Sequence, residues 1–151
     1  MQTKIINPIN LLYYSTETKV TDLAQYVGVI ADRLYADALK NNMRIVGPPY
    51  WLYDGFTGDE AQLFSLEIAI PVEAFPENYT GEFATKSTEE FKCVWAIHEG
   101  EWTKIPETYG KLFGYMGQNG LTPTYKNREI YIHSDLDAPE SMITLIQVGI
   151  E

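Results

Sequence analysis

Cysteine, histidine, positive charge and long apolar runs are all scarce in this 151-residue chain. The lone Cys93 excludes an internal disulfide and a multi-cysteine zinc site. Only two histidines are present, His98 and His133. They stand far apart in sequence, and although Asp135 and Asp137 follow His133, no metal and no cofactor are expected. Nowhere do about 18 apolar residues run together, and the start lacks a basic stretch followed by an apolar one. No membrane span is expected, and a cytoplasmic location is. Lysine and arginine total 11 against 21 aspartates and glutamates, a formal charge of −10. Such a chain repels phosphate backbones, and no basic stripe offsets this, so direct nucleic-acid binding is not expected. An acidic field favours cationic ligands or basic protein surfaces, and it also keeps a chain in solution.

Familiar catalytic patterns are missing as well. Ser15, Ser65, Ser87, Ser134 and Ser141 sit in no nucleophile elbow. Gly55-Phe56-Thr57-Gly58 lacks the lysine and spacing of a phosphate loop. On a strand, Cys93 and His98 face opposite ways, which argues against a thiol–imidazole pair and for Cys93 as a small core residue.

What the chain has is aromatic residues, which make up 13% of it, with 11 tyrosines among them. Tyrosine joins an apolar body to a polar tip and suits half-wet pockets. The length fits one domain able to bury a core. Residues 10–20 read as a strand. Thr21 or Asp22 caps a helix to about Asn41, with Leu23, Val27, Ile30, Leu34 and Ala38 on its buried face. Gly47-Pro48-Pro49 is a rigid turn. Tyr50–Asp54 and residues 63–72 read as strands, and residues 73–90 as a polar joint. The same order then returns. Residues 91–97 form a strand, and His98-Glu99-Gly100 a turn. A helix covers 104–118, its start fixed by Pro106, with Ile105, Tyr109, Leu112 and Met116 inward. Strands at 128–133 and Ile143–Ile150 complete the chain.

The two halves are related by an offset of 78 residues. It maps Leu34 onto Leu112, Asn41 onto Asn119, Tyr53 onto Tyr131 and Glu73 onto Glu151. Apolar positions match too, Tyr13 with Phe91 among them. The period is too long for a solenoid repeat. It predicts two strand–helix–strand–strand modules, about 10–73 and 88–151. They would form an α+β fold with pseudo-two-fold symmetry, an antiparallel or mixed sheet and two helices on one face. Alternation on a strand points Glu129, Tyr131 and His133 one way. The offset sets Trp51 against Glu129 and Tyr53 against Tyr131. One aromatic cluster around a single carboxylate is therefore expected near the axis. A surface strand whose Glu and Tyr face water is the other reading of those residues.

Several segments in this order resemble the GyrI-like, or effector-binding, domain family. They are Gly47-Pro48-Pro49-Tyr50, the run Leu66-Glu67-Ile68-Ala69-Ile70-Pro71-Val72, His98-Glu99-Gly100-Glu101-Trp102 with Tyr109 downstream, and Arg128-Glu129-Ile130-Tyr131. The resemblance covers nearly the whole chain. It implies tandem modules around a ligand pocket in which Glu129 pairs with a cation and Tyr131 is its motif partner. Trp51 and Tyr53 are candidates on the repeat alone. The family includes drug sensors fused to DNA-binding modules, stand-alone gyrase-inhibitor-type proteins and members that hydrolyse strained small molecules. No helix-turn-helix precedes this domain, so the expectation is a stand-alone module for an amphipathic, cationic small molecule. The alternatives are a hydrolase with Glu129 as general base and a tyrosine as proton donor, and a protein that binds another macromolecule through its acidic surface.

Overall fold

A computed structural model describes all 151 residues. Its strands are β1 (Gln2–Ile6), β2 (Asn10–Thr18), β3 (Tyr50–Asp54), β4 (Phe64–Pro71), β5 (Ala84–Ser87), β6 (Phe91–Glu99), β7 (Pro123–His133) and β8 (Ile143–Ile150). The helices are α1 (Ile30–Lys40) and α2 (Ile105–Gln118). All eight strands join one sheet in the order β1-β6-β8-β7-β3-β4-β2-β5, and every pairing is antiparallel. The α+β expectation holds, with no parallel pair in the sheet.

Alternation builds the core. Phe64, Leu66, Ile68 and Ile70 occupy every second position of β4 and are buried on the helix side. Ile30, Leu34 and Ala38, four residues apart, bury one stripe of α1. Leu112 and Met116 do the same for α2, and both helices share one core cluster with Ile146 and Val148 of β8. Leu34 and Leu112 are fully buried. Truncating either to alanine should cost roughly 2–5 kcal/mol.

The first helix is shorter than its apolar spacing suggests. Val20–Tyr26 is a 3-10 segment, Val27 is extended, and Gly28 turns the chain at φ +73 before α1 starts at Ile30. Leu23 and Val27 belong to that connection and mimic a helical stripe. The two outer strands also escaped the pattern. β1 is exposed along most of its length, and the four-residue β5 lies in what reads as a joint. β7 begins at Pro123, five residues before the expected start at 128.

The central pair is β3 with β7, where Trp51 lies directly across from Glu129. On one side of it the order is β4-β2, on the other β8-β6. The outermost strands are exchanged, since β1 borders β6 and β5 borders β2. A single offset does not relate the halves. In the second half, Cys93↔Gly149 corresponds to Leu11↔Pro71 in the first. Pro71 to Gly149 is a step of 78, whereas Leu11 to Cys93 is a step of 82. Burial follows the longer step: Leu11, Leu12 and Tyr13 match Cys93, Val94 and Trp95 as buried, buried and half-buried. Tyr13 therefore answers to Trp95, not to Phe91. The four-residue difference falls between strand and helix, where the first half has the 3-10 segment Val20–Tyr26 and the second a single turn, Trp102–Lys104. These unequal connections form facing walls of a cleft.

Candidate functional site

The cleft has a volume of about 710 Å³ and lies over the helix side of the central strands. Its floor is Glu129, Tyr53 and Asn127 from β7 and β3. One wall is Val20 and Leu23; another is Trp102, Ile105, Tyr109 and Phe113; Phe56 and Tyr125 stand at a third side. Two carboxylates, Glu60 and Glu129, belong to the lining, with no lysine or arginine.

Glu129 is buried, and three tyrosine hydroxyls donate to it. Tyr131 donates to Oε1 at 2.5 Å, Tyr53 to Oε1 at 3.1 Å and Tyr109 to Oε2 at 2.9 Å. Trp102 Nε1–H donates to the Tyr131 oxygen at 3.1 Å, which polarises the Tyr131 hydroxyl toward the carboxylate. An isolated carboxylate costs several kcal/mol to bury. Hydrogen bonds to a charged group return about 1.5–3 kcal/mol each, so three of them offset part of that cost without a cationic side chain. Burial pushes the Glu129 carboxyl up from the ordinary glutamate value, and the bonds from Tyr131, Tyr109 and Tyr53 oppose it. Burial first, then the negative charge of Glu129, holds the three tyrosine hydroxyls well above their usual range. They remain donors at neutral pH.

Side-chain alternation explains the convergence. Trp51 and Glu129 are paired across the axis, so both face the helices. Tyr53 and Tyr131 do not face one another. Tyr53 pairs in register with Asn127 and reaches Glu129 diagonally across the strand pair, while Tyr131 reaches it along β7 from two residues away. Of the four residues singled out from sequence, Glu129 and Tyr53 line the cleft. Trp51 and Tyr131 lie behind it. Trp51 packs edge-on against Tyr131 at 5.8 Å and against Trp102 at 6.2 Å between ring centroids.

Five further residues stand at or beside the site, outside the four expected from sequence. Tyr109 was assigned to the inward stripe of α2, but Thr108 is buried there and Tyr109 turns to the cleft. Trp102 lies on the turn before α2. His98, expected in a turn, is a buried β6 residue that fastens this connection. Its Nε2–H donates to the Glu101 carbonyl at 3.0 Å, and Nδ1 accepts from the Thr108 hydroxyl at 2.7 Å. Asn127 is set by its regular pairing with Tyr53, whereas Tyr125 depends on an irregularity in β7. The pairing with β8 shifts between Pro123 and Asn127, and Tyr125 adopts φ +61 there. A bulge of this kind re-aims a side chain. Gly149 lets it pass, because a Cβ there would stand 2.5 Å from the Lys126 carbonyl oxygen.

This fold agrees with the comparisons to known proteins. A family model described as the GyrI-like small molecule binding domain matches residues 2–151. The chain belongs to that family. No curated protein sequence matches it. Among solved structures, the C-terminal domain of EcmrR superposes with a TM-score of 0.78 at 18% identity, covering 99% of this chain and 96% of that one. A cryo-EM structure of an EcmrR–DNA complex gives 0.79 at 19% identity, but this chain spans only 56% of that longer one. SAV2435 bound to tetraphenylphosphonium gives 0.65 at 14% identity, covering 99% and 93%. A hydrolase encoded by lin2189 from Listeria innocua gives 0.64 at 16% identity, covering 99% and 91%. At such identities these likenesses establish the shared fold.

Proposed function

We propose that this domain binds an amphipathic organic cation in the cleft, as a sensor or sequestering module. One observation carries the reading. A buried carboxylate stands at the floor of an aromatic cleft, bonded by three tyrosine hydroxyls and left without a cationic partner in the chain. A cation entering the cleft meets this charge in a partly desolvated place, where attraction is strongest. Trp102, Tyr109, Phe56 and Phe113 offer ring faces for cation–π contact and apolar area. Glu129, Tyr53 and Tyr109 are the binding residues; Tyr131 and Trp51 are positioning residues behind them. The tetraphenylphosphonium carried by SAV2435 has this chemistry and supports the reading.

A hydrolase is the second reading, favoured by the upward-shifted Glu129 and by the hydrolase among the structural neighbours. It needs a water on the carboxylate. A carboxylate offers about four acceptor positions, and three of them are taken by tyrosines. That crowding favours binding over base catalysis.

The test is tryptophan fluorescence quenching by tetraphenylphosphonium and by neutral triphenylphosphine oxide. Glu129→Gln should weaken the cation by about tenfold or more, the worth of one charge-assisted contact, and the neutral compound far less. Equal weakening of both would sink the charge reading. Turnover of ester or strained-ring compounds, abolished by the same substitution, would establish the hydrolase.

A further inference from the structure

The other face of the sheet carries a second groove, of about 550 Å³, lined mostly by polar residues. Arg128 lies in it, one residue from Glu129 and pointing to the opposite side. It is only 6% exposed. Its Nη1 has no hydrogen-bond partner, and no carboxylate lies within ion-pair distance of its guanidinium. Glu67, the carboxylate whose charge acts on Arg128, is taken by Lys86 at 2.5 Å. A guanidinium so placed is costly unless something pairs with it. The Phe91 ring centre lies 4.0 Å from Cζ. Stacking uses the flat face of the guanidinium and leaves the in-plane N–H fork, which is the part a carboxylate takes in bidentate fashion. Gln147, opposite Arg128 on β8, is buried with its Oε1 also unpartnered.

The charge of the groove narrows the ligand. Its cations are Lys86, Lys126 and Arg128; its carboxylates are Asp54, Glu67, Glu89 and Glu90. A phosphate dianion would face four negative groups. A ligand with one carboxylate and one ammonium satisfies both signs. We propose that this groove binds a small zwitterion of the free amino-acid class, with its carboxylate on Arg128 and its ammonium toward the exposed Glu89 and Glu90. The groove opens on the face opposite the aromatic cleft and shares only Tyr53 and Asn127 of its lining with it, and the inference does not rest on what the cleft binds.

The experiment is isothermal titration of the intact chain with each of the standard L-amino acids, and with the α-amide and N-acetyl derivative of any that binds. Inorganic phosphate is titrated alongside. At least one free amino acid should bind saturably, and its amide and its N-acetyl form should each lose tenfold or more. Arg128→Gln should lose about tenfold as well, with tetraphenylphosphonium quenching in the cleft unchanged. The double substitution Glu89→Gln and Glu90→Gln, at exposed positions, tests the ammonium end without touching the core and should weaken binding severalfold. Absence of binding by every amino acid, binding of phosphate in their place, or affinity indifferent to both sets of substitutions would overturn the proposal.

Discussion

Arg128 and Glu129 are neighbours on β7 that face opposite sides of one sheet, both nearly excluded from water. On the helix side the carboxylate collects three hydroxyl donors and an aromatic surround. On the open side the guanidinium has a ring beneath it and no hydrogen-bond partner for Nη1. A buried charge can thus be completed by the protein or left for something else to complete. The first arrangement fixes a local electric field that a ligand feels. The second leaves donors that a ligand must satisfy. In both cases a charge is retained where an apolar residue would pack, and the difference lies in how much of its solvation the fold replaces.

The contrast should be largest in stability. Glu129→Leu removes the acceptor shared by three hydroxyls, and each buried polar group left unpaired costs about 1–3 kcal/mol. A loss of about 3 kcal/mol or more in urea unfolding is expected. Arg128→Met removes a charge with no partner to orphan, so stability should hold or rise by about 1–4 kcal/mol. Losses of equal size in the two variants would erase the distinction between the faces.

A smaller change sharpens it. Tyr109→Phe removes only the donor to Oε2 and should cost about 1.5–3 kcal/mol of cation affinity or stability. It should also push the Glu129 carboxyl further up, because one opposing bond is lost. The wild-type pH dependence follows from the direction of the shift. With the folded-state value above the ordinary 4.5, the native state holds a proton that the unfolded chain has released. Stability should therefore fall as pH rises from 4.5 through the folded value and then level off, while cation affinity rises across the same window. Glu129→Gln should flatten both profiles. Calorimetric unfolding and quenching titrations at a series of pH values read them directly. A cation affinity that falls as pH rises would contradict the assignment.

The smallest expected effect concerns the rim. Tyr125 holds a left-handed backbone that costs a non-glycine residue about 1–2 kcal/mol. Tyr125→Gly should relieve part of this, raising stability by up to about 1 kcal/mol, and should weaken the cation only two- to fivefold, the worth of an exposed cation–π contact. A larger affinity loss, with stability unchanged, would make Tyr125 a principal contact.

Sequence carried the inner strands, the Ile30-Leu34-Ala38 and Ile105-Leu112-Met116 parts of the helix stripes and the shared side of Glu129 and Tyr131, because all of these are written in periods of 2 and 3.6 residues. It carried the outer strands poorly. β5 is four largely polar residues at an edge, and β1 is mostly exposed, so neither has a buried face to print a pattern. Tyr109 follows Ile105 at the helical spacing, and spacing alone does not separate a core tyrosine from one whose ring leans into a cleft. Asn127 keeps the alternation of Glu129 and Tyr131 but falls one residue outside the strand expected from 128, and Tyr125 lies at the bulge, where alternation assigns no side. Tyr13 was matched to the wrong partner since a constant offset cannot absorb four residues inserted between strand and helix.

The exchanged outer strands have a mechanical consequence. β1 is stitched to β6 and β5 to β2, so each half of the chain holds the far border of the other. Pulling the halves apart would mean shearing these seams as well as the β3–β7 seam, which disfavours a hinge between them. Movement that reshapes the cleft must then come from the connections around 20–29 and 101–104 and not from a gape of the sheet. By the same token the covalent link over 73–82 is dispensable for holding the molecule together. A chain cut there should remain a single species by size exclusion, its fragments parting only under denaturant, like two clasped hands after the cord between the wrists is severed.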